Sequence, residues 1–545
     1  MKILLLSHSF NSLTQRLWVE LGRAGHDVCL EFDVNDAVTI EAVELARPDV
    51  IIAPFLKRAI PEQVWRRHKC LVVHPGPMGD RGPAALDWAI LEGAGEWGVT
   101  VLQAEAEMDA GPVWAHRAFP MRTATKSSLY RNEVTDAAVD AVFEALRVAE
   151  PIRPATTWWK PALSQADRAI DWAVDDTATV LRKLRASDGT PGVRDGDIYL
   201  HDGHAADGLS VCGRPGAWIA RQGGRLARAT ADGAVWIGQV RRAEAGALKL
   251  PAATVLADIA AGLPQQPGHH DIWYDEKASV GYLHFPFHNG AMSTDQCLRL
   301  RDAFVEATRR PTKVIVLMGG PDFWSNGIHL GTIEAADSPA DESWRNINAM
   351  NDLCEAVITC GSHLTVAAMH GNAGAGGVFM ALAADIVLAR SGVVLNPHYK
   401  GMGNLYGSEY WTYLLPRRCG GAGALALTQA RLPVGTEEAR DWGLIDGHFG
   451  ATVAQFRSGI ETFATELAAS PDLERRLSAK RLSRLADEAE KPLVQYRAEE
   501  LEHMKLNFYG FDPSYHVARW NFIGKVPKSR TPLYLARHRS KASAP

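Results

Sequence analysis

Residues 71–88, LVVHPGPMGDRGPAALDW, constrain this 545-residue chain more than any other stretch. An apolar run ends on His74, a Pro/Gly-rich loop follows, and a helical pattern opens after it. A strand that runs through a loop into a helix is half of an α/β unit, and such folds collect ligands at the carboxyl ends of their strands. His74 falls at that edge. On pattern alone it serves as well as a capping or core histidine as it does as a base.

The flanking sequence extends the unit. KILLLS, VCLEF and DVIIAPF read as strands, with TQRLWVELGRAGHDV and a stretch near 39–46 as helices. Strands alternating with helices predict a mostly parallel, doubly wound α/β domain over residues 1–150. Asp109, in VLQAEAEMDAGPVWA, follows another alternating run and precedes a glycine. A carboxylate beside an imidazole fixes its tautomer and gives a general acid/base pair.

Length and composition bound the rest. So long a chain exceeds one core and implies two to four domains. With 46% hydrophobic and 22% charged residues the class is globular, and a net charge of -5 argues against a general nucleic-acid binder. Seven cysteines without a CxxC pair form neither a disulfide framework nor a zinc ribbon, so no metal is expected and a reducing cytoplasm fits. The opening MKILLLSHSF lacks a cleavage pattern and reads as a strand, and no apolar stretch reaches membrane-span length.

HPGPMGDRGPAALDWAI followed by GVTVLQAEAEMDAGPV resembles the folate-dependent formyltransferases, with His74, Arg81, Gly82, Asp109 and Gly111 on the family's motif positions. The resemblance implies N10-formyl-tetrahydrofolate as donor. In APFLKRAIP it sets Pro54 and Leu56 beside the pterin ring. One position departs: the family's asparagine two residues before the histidine is Val72, which cannot donate to a developing oxyanion. Either Asn11, Gln15 or Gln103 replaces that donor, or the acceptor is a thiol that needs less help.

Residues 160–261 carry short alternating runs punctuated by turn residues and suggest a small barrel, similar to the OB-like C-terminal domain of methionyl-tRNA formyltransferases. Its sparse aromatics and mixed charge suit a channel wall better than a nucleic-acid surface. GLPQQPGHH, at 262–270, reads as a linker.

From 271 to 545 strands and helices alternate again, and LTVAAMHGNAGAGGVFMALAADIVLA runs from a strand through a glycine cluster into a helix. Glycines there allow close approach to a ligand, or simply tight helix packing. With FWSNGIHL the pattern resembles the crotonase (enoyl-CoA hydratase/isomerase) superfamily, an α/β superhelix. That resemblance implies coenzyme A, oxyanion donors at the backbone amides of Asn326 and Gly376, and close approach at Gly377. Phe379 and His398 stand where hydratases hold their catalytic glutamates, which excludes water addition. LYGSEYWTYLLPRR instead offers Glu409 amid aromatics, with Tyr399 as its partner; a carboxylate in such a pocket titrates near neutrality. The bland alternative makes Glu409 a surface charge and Tyr399 core. Near the end, Lys525, Lys528, Arg530 and Arg539 supply charge either for coenzyme A phosphates or for solubility.

The three domains in one chain resemble the HypX (HoxX) type of NiFe-hydrogenase maturation factor. That family implies carbon monoxide synthesis: formyl transfer from N10-formyl-tetrahydrofolate to coenzyme A, then decarbonylation of formyl-CoA by a crotonase-type lyase. Small-molecule substrates and hydrogenase maturation proteins are the implied partners, without nucleic acid or membrane. A formyl-CoA transferase or hydrolase that releases no carbon monoxide, and a non-catalytic formyl carrier, remain alternatives.

Overall fold

The computed structural model describes residues 1–209 and 213–541, which leaves Cys212 outside the described residues; the other cysteines are free thiols. The chain divides into two compact units, one of Met1–His269 with the segment from Pro527 onward, the other of His270–Val526.

The first unit opens with a six-stranded sheet in the order Asp27–Phe32, Lys2–Ser7, Val50–Phe55, Cys70–His74, Glu96–Gln103, Val113–Pro120. The first four strands run parallel, as alternation with helices requires. The last two are antiparallel, because the direct connection from Gln103 to Val113 holds no crossover helix. The helix Ser12–Arg23 buries Leu13, Leu17, Trp18 and Leu21 at helical spacing, and Asn11 caps it by accepting from the Thr14 amide at 3.0 Å.

Within the same unit the helix Thr177–Ala186, capped by Asp176, lays Val180, Leu181 and Leu184 into an antiparallel sheet of short strands from Val193–Asp195 to Ala234–Arg242. Where a small barrel was expected after residue 160, the strands form an antiparallel sheet whose order runs from Trp218–Gln222 to Val193–Asp195.

The segment from Pro527 onward, expected to end the crotonase-like domain, packs on the first unit instead. It covers the edge strand Asp27–Phe32: the Leu30 amide donates to the Leu535 carbonyl at 3.0 Å and the Phe32 amide to Thr531 Oγ1 at 2.7 Å. An open strand edge is otherwise a template for aggregation. Beneath it Glu31, fully buried, takes hydrogen bonds from Thr531, from His538 Nε2 at 2.9 Å and from Arg539 Nε at 2.7 Å.

The second unit is a superhelix of repeated turns. Val314–Gly319, Leu364–Met369 and Ile386–Arg390 join a six-stranded sheet, and each runs within a few residues into a strand of a four-stranded sheet, namely Phe323–Ser325, Asn372–Gly374 and Val394–Asn396. Near-continuous burial of the strands follows from cover on both faces. The late helix Leu493–Tyr509 packs on Pro339–Ile358 and on Trp411–Ala430.

Candidate functional site

In the first unit His74 ends its strand 4% exposed. Asp109 Oδ2 lies 3.7 Å from Nδ1 and accepts the Gly82 amide at 3.1 Å. Arg81 does not point into open space: it grips Glu107 at 2.6 Å and the Met108 carbonyl at 3.0 Å, and so anchors the loop that delivers Asp109. The Gly111 backbone passes so close to Gln103 that a Cβ would overlap the Gln103 carbonyl oxygen. Pro54 and Leu56 sit at the end of Val50–Phe55, the strand next to the histidine strand.

Sequence reasoning missed Asp80. Its buried carboxylate lies 2.8 Å from His74 Nε2 and accepts from Trp158 Nε1 at 2.9 Å on its other oxygen. A carboxylate only accepts, so the proton of that bond sits on Nε2 and Nδ1 keeps the lone pair. Any Cβ on Gly76 would strike both partners, which explains why the loop carries glycine there. The signal was present as an acid six residues after the histidine, but such spacing has meaning only once the loop is folded back.

The side chains considered as replacements for the donor lost at Val72 have these partners. Asn11 is the helix cap, and its amide faces Tyr130 Oη at 3.4 Å. Gln15 donates to the Phe10 carbonyl at 2.9 Å, and Gln103 Oε1 accepts from Trp114 Nε1 at 3.3 Å.

In the second unit Glu409 is 1% exposed and Tyr399 7%. The Tyr399 hydroxyl lies 2.5 Å from Glu409 Oε2 and 2.9 Å from the Ser408 carbonyl. Burial pushes the Glu409 carboxyl up to about 7, against the Tyr399 hydrogen bond, and raises the Tyr399 phenol well above its ordinary value. Glu409 and Tyr410 both adopt left-handed backbone, with φ of 61° and 59°. Each such residue costs roughly 1–2 kcal/mol, and strain of this kind gathers at functional sites.

The glycine cluster meets this carboxylate. A Cβ on Gly376 would run into Glu409 Oε1, and one on Gly377 into the Ser325 carbonyl. Gly376 opens the helix Gly376–Leu382, where first-turn amides have no intrahelical acceptor. The Asn326 amide, expected as an oxyanion donor, donates here to the Gly290 carbonyl at 2.7 Å, because residues 290–292 pair alongside 326–328. A second oxyanion donor at Asn326 therefore requires that bond to break. Phe379 stacks on Tyr399 at 5.2 Å, and burial lowers His398 to about 4, so neither supplies hydratase acid/base chemistry.

Three of the four basic residues expected to hold phosphate for this domain lie in the first unit. Arg539 pairs with Glu31 and Glu41, each at 2.7 Å, and the Lys528 ammonium stands 5.0 Å from the Phe32 ring centre, all in the first unit. Arg530 is exposed on the same returning segment, and Lys525 alone of the four belongs to the second unit. Of the four, Arg539 is the one that acids of the first unit hold.

A histidine between two carboxylates on a doubly wound sheet, and a buried Tyr–Glu pair against the glycine turn of a crotonase-type superhelix, define a formyltransferase-like enzyme fused to a crotonase-fold domain. Family profiles agree: formyl transferase matches residues 32–146, its C-terminal domain 162–254, and enoyl-CoA hydratase/isomerase 275–507. The chain is 58% identical to the hydrogenase maturation factor HoxX of Bradyrhizobium diazoefficiens, over 99% of this chain and 97% of that one. It superposes with a TM-score of 0.96, at 48% identity and 99% coverage of both chains, on HypX from Aquifex aeolicus in complex with tetrahydrofolic acid. The methionyl-tRNA formyltransferase of Granulibacter bethesdensis matches 34% of this chain and 64% of its own length, at 30% identity. The chain belongs to the HypX/HoxX family of hydrogenase maturation factors. Among the described residues no helix is long and apolar enough to cross a membrane, and no cluster of ligands fit for a metal occurs.

Proposed function

We propose that this chain makes carbon monoxide for assembly of the NiFe-hydrogenase active site, from N10-formyl-tetrahydrofolate by way of coenzyme A. The observation that carries the reading is Glu409: a buried carboxylate titrating near 7, bonded to Tyr399, and lying against the Gly376 turn. Hydratase acids are replaced at their usual positions, yet a base has been rebuilt at the same turn.

In the first site His74 moves the proton. Its Nδ1 lone pair accepts the proton of the attacking thiol and returns it to the folate N10 as the C–N bond breaks, and Asp109 and Asp80 flank the imidazolium formed in passing. A thiolate is nucleophilic enough to dispense with the donor lost at Val72. Tetrahydrofolate bound to the Aquifex relative supports the folate assignment.

In the second site the Gly376 amide polarises the formyl oxygen, joined by Asn326 once Gly290 lets go. The glycines fit a thioester there because no Cβ keeps it from the backbone. Glu409 takes the formyl hydrogen as a proton. The electron pair of that C–H bond becomes the carbon lone pair of carbon monoxide, the C–S pair leaves with sulfur, and the proton passes from the Tyr399–Glu409 pair to the thiolate.

Incubation with N10-formyl-tetrahydrofolate and coenzyme A, with carbon monoxide trapped on reduced haem, tests the proposal. Haem–carbonyl formation supports it. Formate, or formyl-CoA that persists, replaces it with a hydrolase or a transferase. Unchanged output in both His74→Ala and Glu409→Gln favours a carrier.

A further inference from the structure

The loop that carries Glu409 is held by a second buried carboxylate to which the reaction proposed above assigns no role. Glu500 is fully buried on the helix Leu493–Tyr509. Its Oε2 accepts the Tyr410 amide at 3.0 Å and faces Ser408 Oγ at 3.2 Å; its Oε1 accepts the Thr412 amide at 2.8 Å and the Thr412 hydroxyl at 2.6 Å. One turn further along, Met504 Sδ meets the Gly407 amide at 3.2 Å, and Asn507 Oδ1 takes the Tyr406 amide at 3.0 Å. From the helix Pro339–Ile358, Asn351 Oδ1 accepts the Glu409 amide itself at 2.8 Å.

Amides of residues 406, 407, 409, 410 and 412 are thus each held by a side chain from outside the loop. The two left-handed residues, Glu409 and Tyr410, lie inside this set. Strained backbone persists only where its surroundings overdetermine it. Thr412 and Tyr410 stand at the start of the helix Trp411–Ala430, where free amides favour a negative charge. Among the described residues no cation pairs with Glu500: the nearby Arg497 is engaged with Asp352 at 2.7 Å and Glu355 at 3.2 Å.

We propose that Glu500 is a positioning residue for Glu409, holding the 408–412 turn in its left-handed form and tuning the proton affinity of the Glu409 carboxylate through its own charge. The proposal rests on Glu409 being the base of the second site. The groups facing Glu409 are Tyr399, Glu500 and the buried thiols Cys297 and Cys354, both pushed up by burial and neutral; Tyr406, Ser408, Tyr410 and Thr412 face Glu500. Glu500 is therefore the one other charge in that set. Burial raises both carboxyls to about 7, and the Glu500 charge opposes ionisation of Glu409. The two protons then leave in coupled steps.

Glu500→Gln in the full-length protein tests this by two readouts. The first is independent of activity: the infrared carboxylic-acid band that disappears in Glu409→Gln is titrated in each protein, and in Glu500→Gln its midpoint moves to lower pH by at least about half a unit. The second is carbon monoxide release from added formyl-CoA, which falls about tenfold or more because an amide nitrogen now faces backbone N–H groups, while formyl transfer to coenzyme A stays at the wild-type rate. The rising limb of the pH–rate profile moves acid with the infrared midpoint.

An unmoved midpoint overturns the proposal, as does an unchanged release rate. Should Glu500→Gln not fold, Thr412→Val removes one donor from Oε1 and shifts the Glu409 midpoint the same way by a smaller step; no shift there also overturns it. Carbon monoxide release that survives Glu409→Gln sinks the catalytic reading instead, and the infrared midpoints still report whether Glu500 sets the Glu409 proton.

Discussion

The Tyr399 hydroxyl and Glu409 Oε2 stand 2.5 Å apart, both buried, against the Gly376 turn. Neither is the acid a hydratase would use. Removing the base while keeping its shape should therefore separate the two half-reactions. Glu409→Gln is expected to lower carbon monoxide release by about 100-fold or more, in the range of general-base contributions, and to leave formyl-CoA accumulating. Tyr399→Phe should cost less, about tenfold. Rapid quench with thioester chromatography measures both.

The same carboxyl predicts a pH dependence. Its proton affinity in the folded protein, raised to about 7, exceeds the ordinary value of 4.5. Acting as a base it works ionised, so release should rise with pH and level off above about 7. Stability runs the other way: the contribution is complete below pH 4.5 and is lost as pH climbs through about 7. Glu409→Gln should melt later than the wild type at pH 8, by up to about 3 kcal/mol at roughly 1.4 kcal/mol per pH unit, and together with it at pH 4.5. Calorimetry at the two pH values decides.

Asp80 holds His74 Nε2 at 2.8 Å. Asp80→Asn replaces an obligate acceptor by a group that can donate, which frees the imidazole to take the wrong tautomer. Formyl-folate consumption should drop by one to two orders of magnitude, with carbon monoxide release from added formyl-CoA unaffected. A wild-type rate would reduce Asp80 to packing.

Glu31 is a buried charge satisfied by Thr531, His538 and Arg539. Breaking one side of such a group costs about 3–5 kcal/mol. Glu31→Ala should lower the melting temperature of the formyltransferase-like unit by several degrees and leave the crotonase-like transition in place. The two transitions are read by scanning calorimetry.

Much of this was legible in the chain. His74 at a strand end was equally open to a capping role until the formyltransferase resemblance set it beside Asp109, and Glu409 stood out as the lone acid in an aromatic stretch, though a surface charge fitted it too. What stayed hidden depended on contacts distant in sequence. Asp80 reaches His74 only after the loop doubles back over Gly76. Glu500 sits in a helix of charged residues whose surface pattern conceals one inward face. The Asn326 amide was assigned by motif, yet Gly290, far upstream, already holds it. Of the basic tail only the charge count was legible, since charge content does not tell that the segment from Pro527 joins the first unit or that Arg539 meets Glu31 and Glu41.

That tail orders events in time. Thr531 covers a strand residue made 499 positions earlier, so on the ribosome the strand Asp27–Phe32 waits with an unpaired edge and an uncompensated Glu31 while the whole crotonase-like unit is synthesised. The formyltransferase-like unit is begun first and sealed last. A chain broken off after its second unit would carry that open edge as a mark of incompleteness, and the formyltransferase-like unit could not mature ahead of the crotonase-like unit.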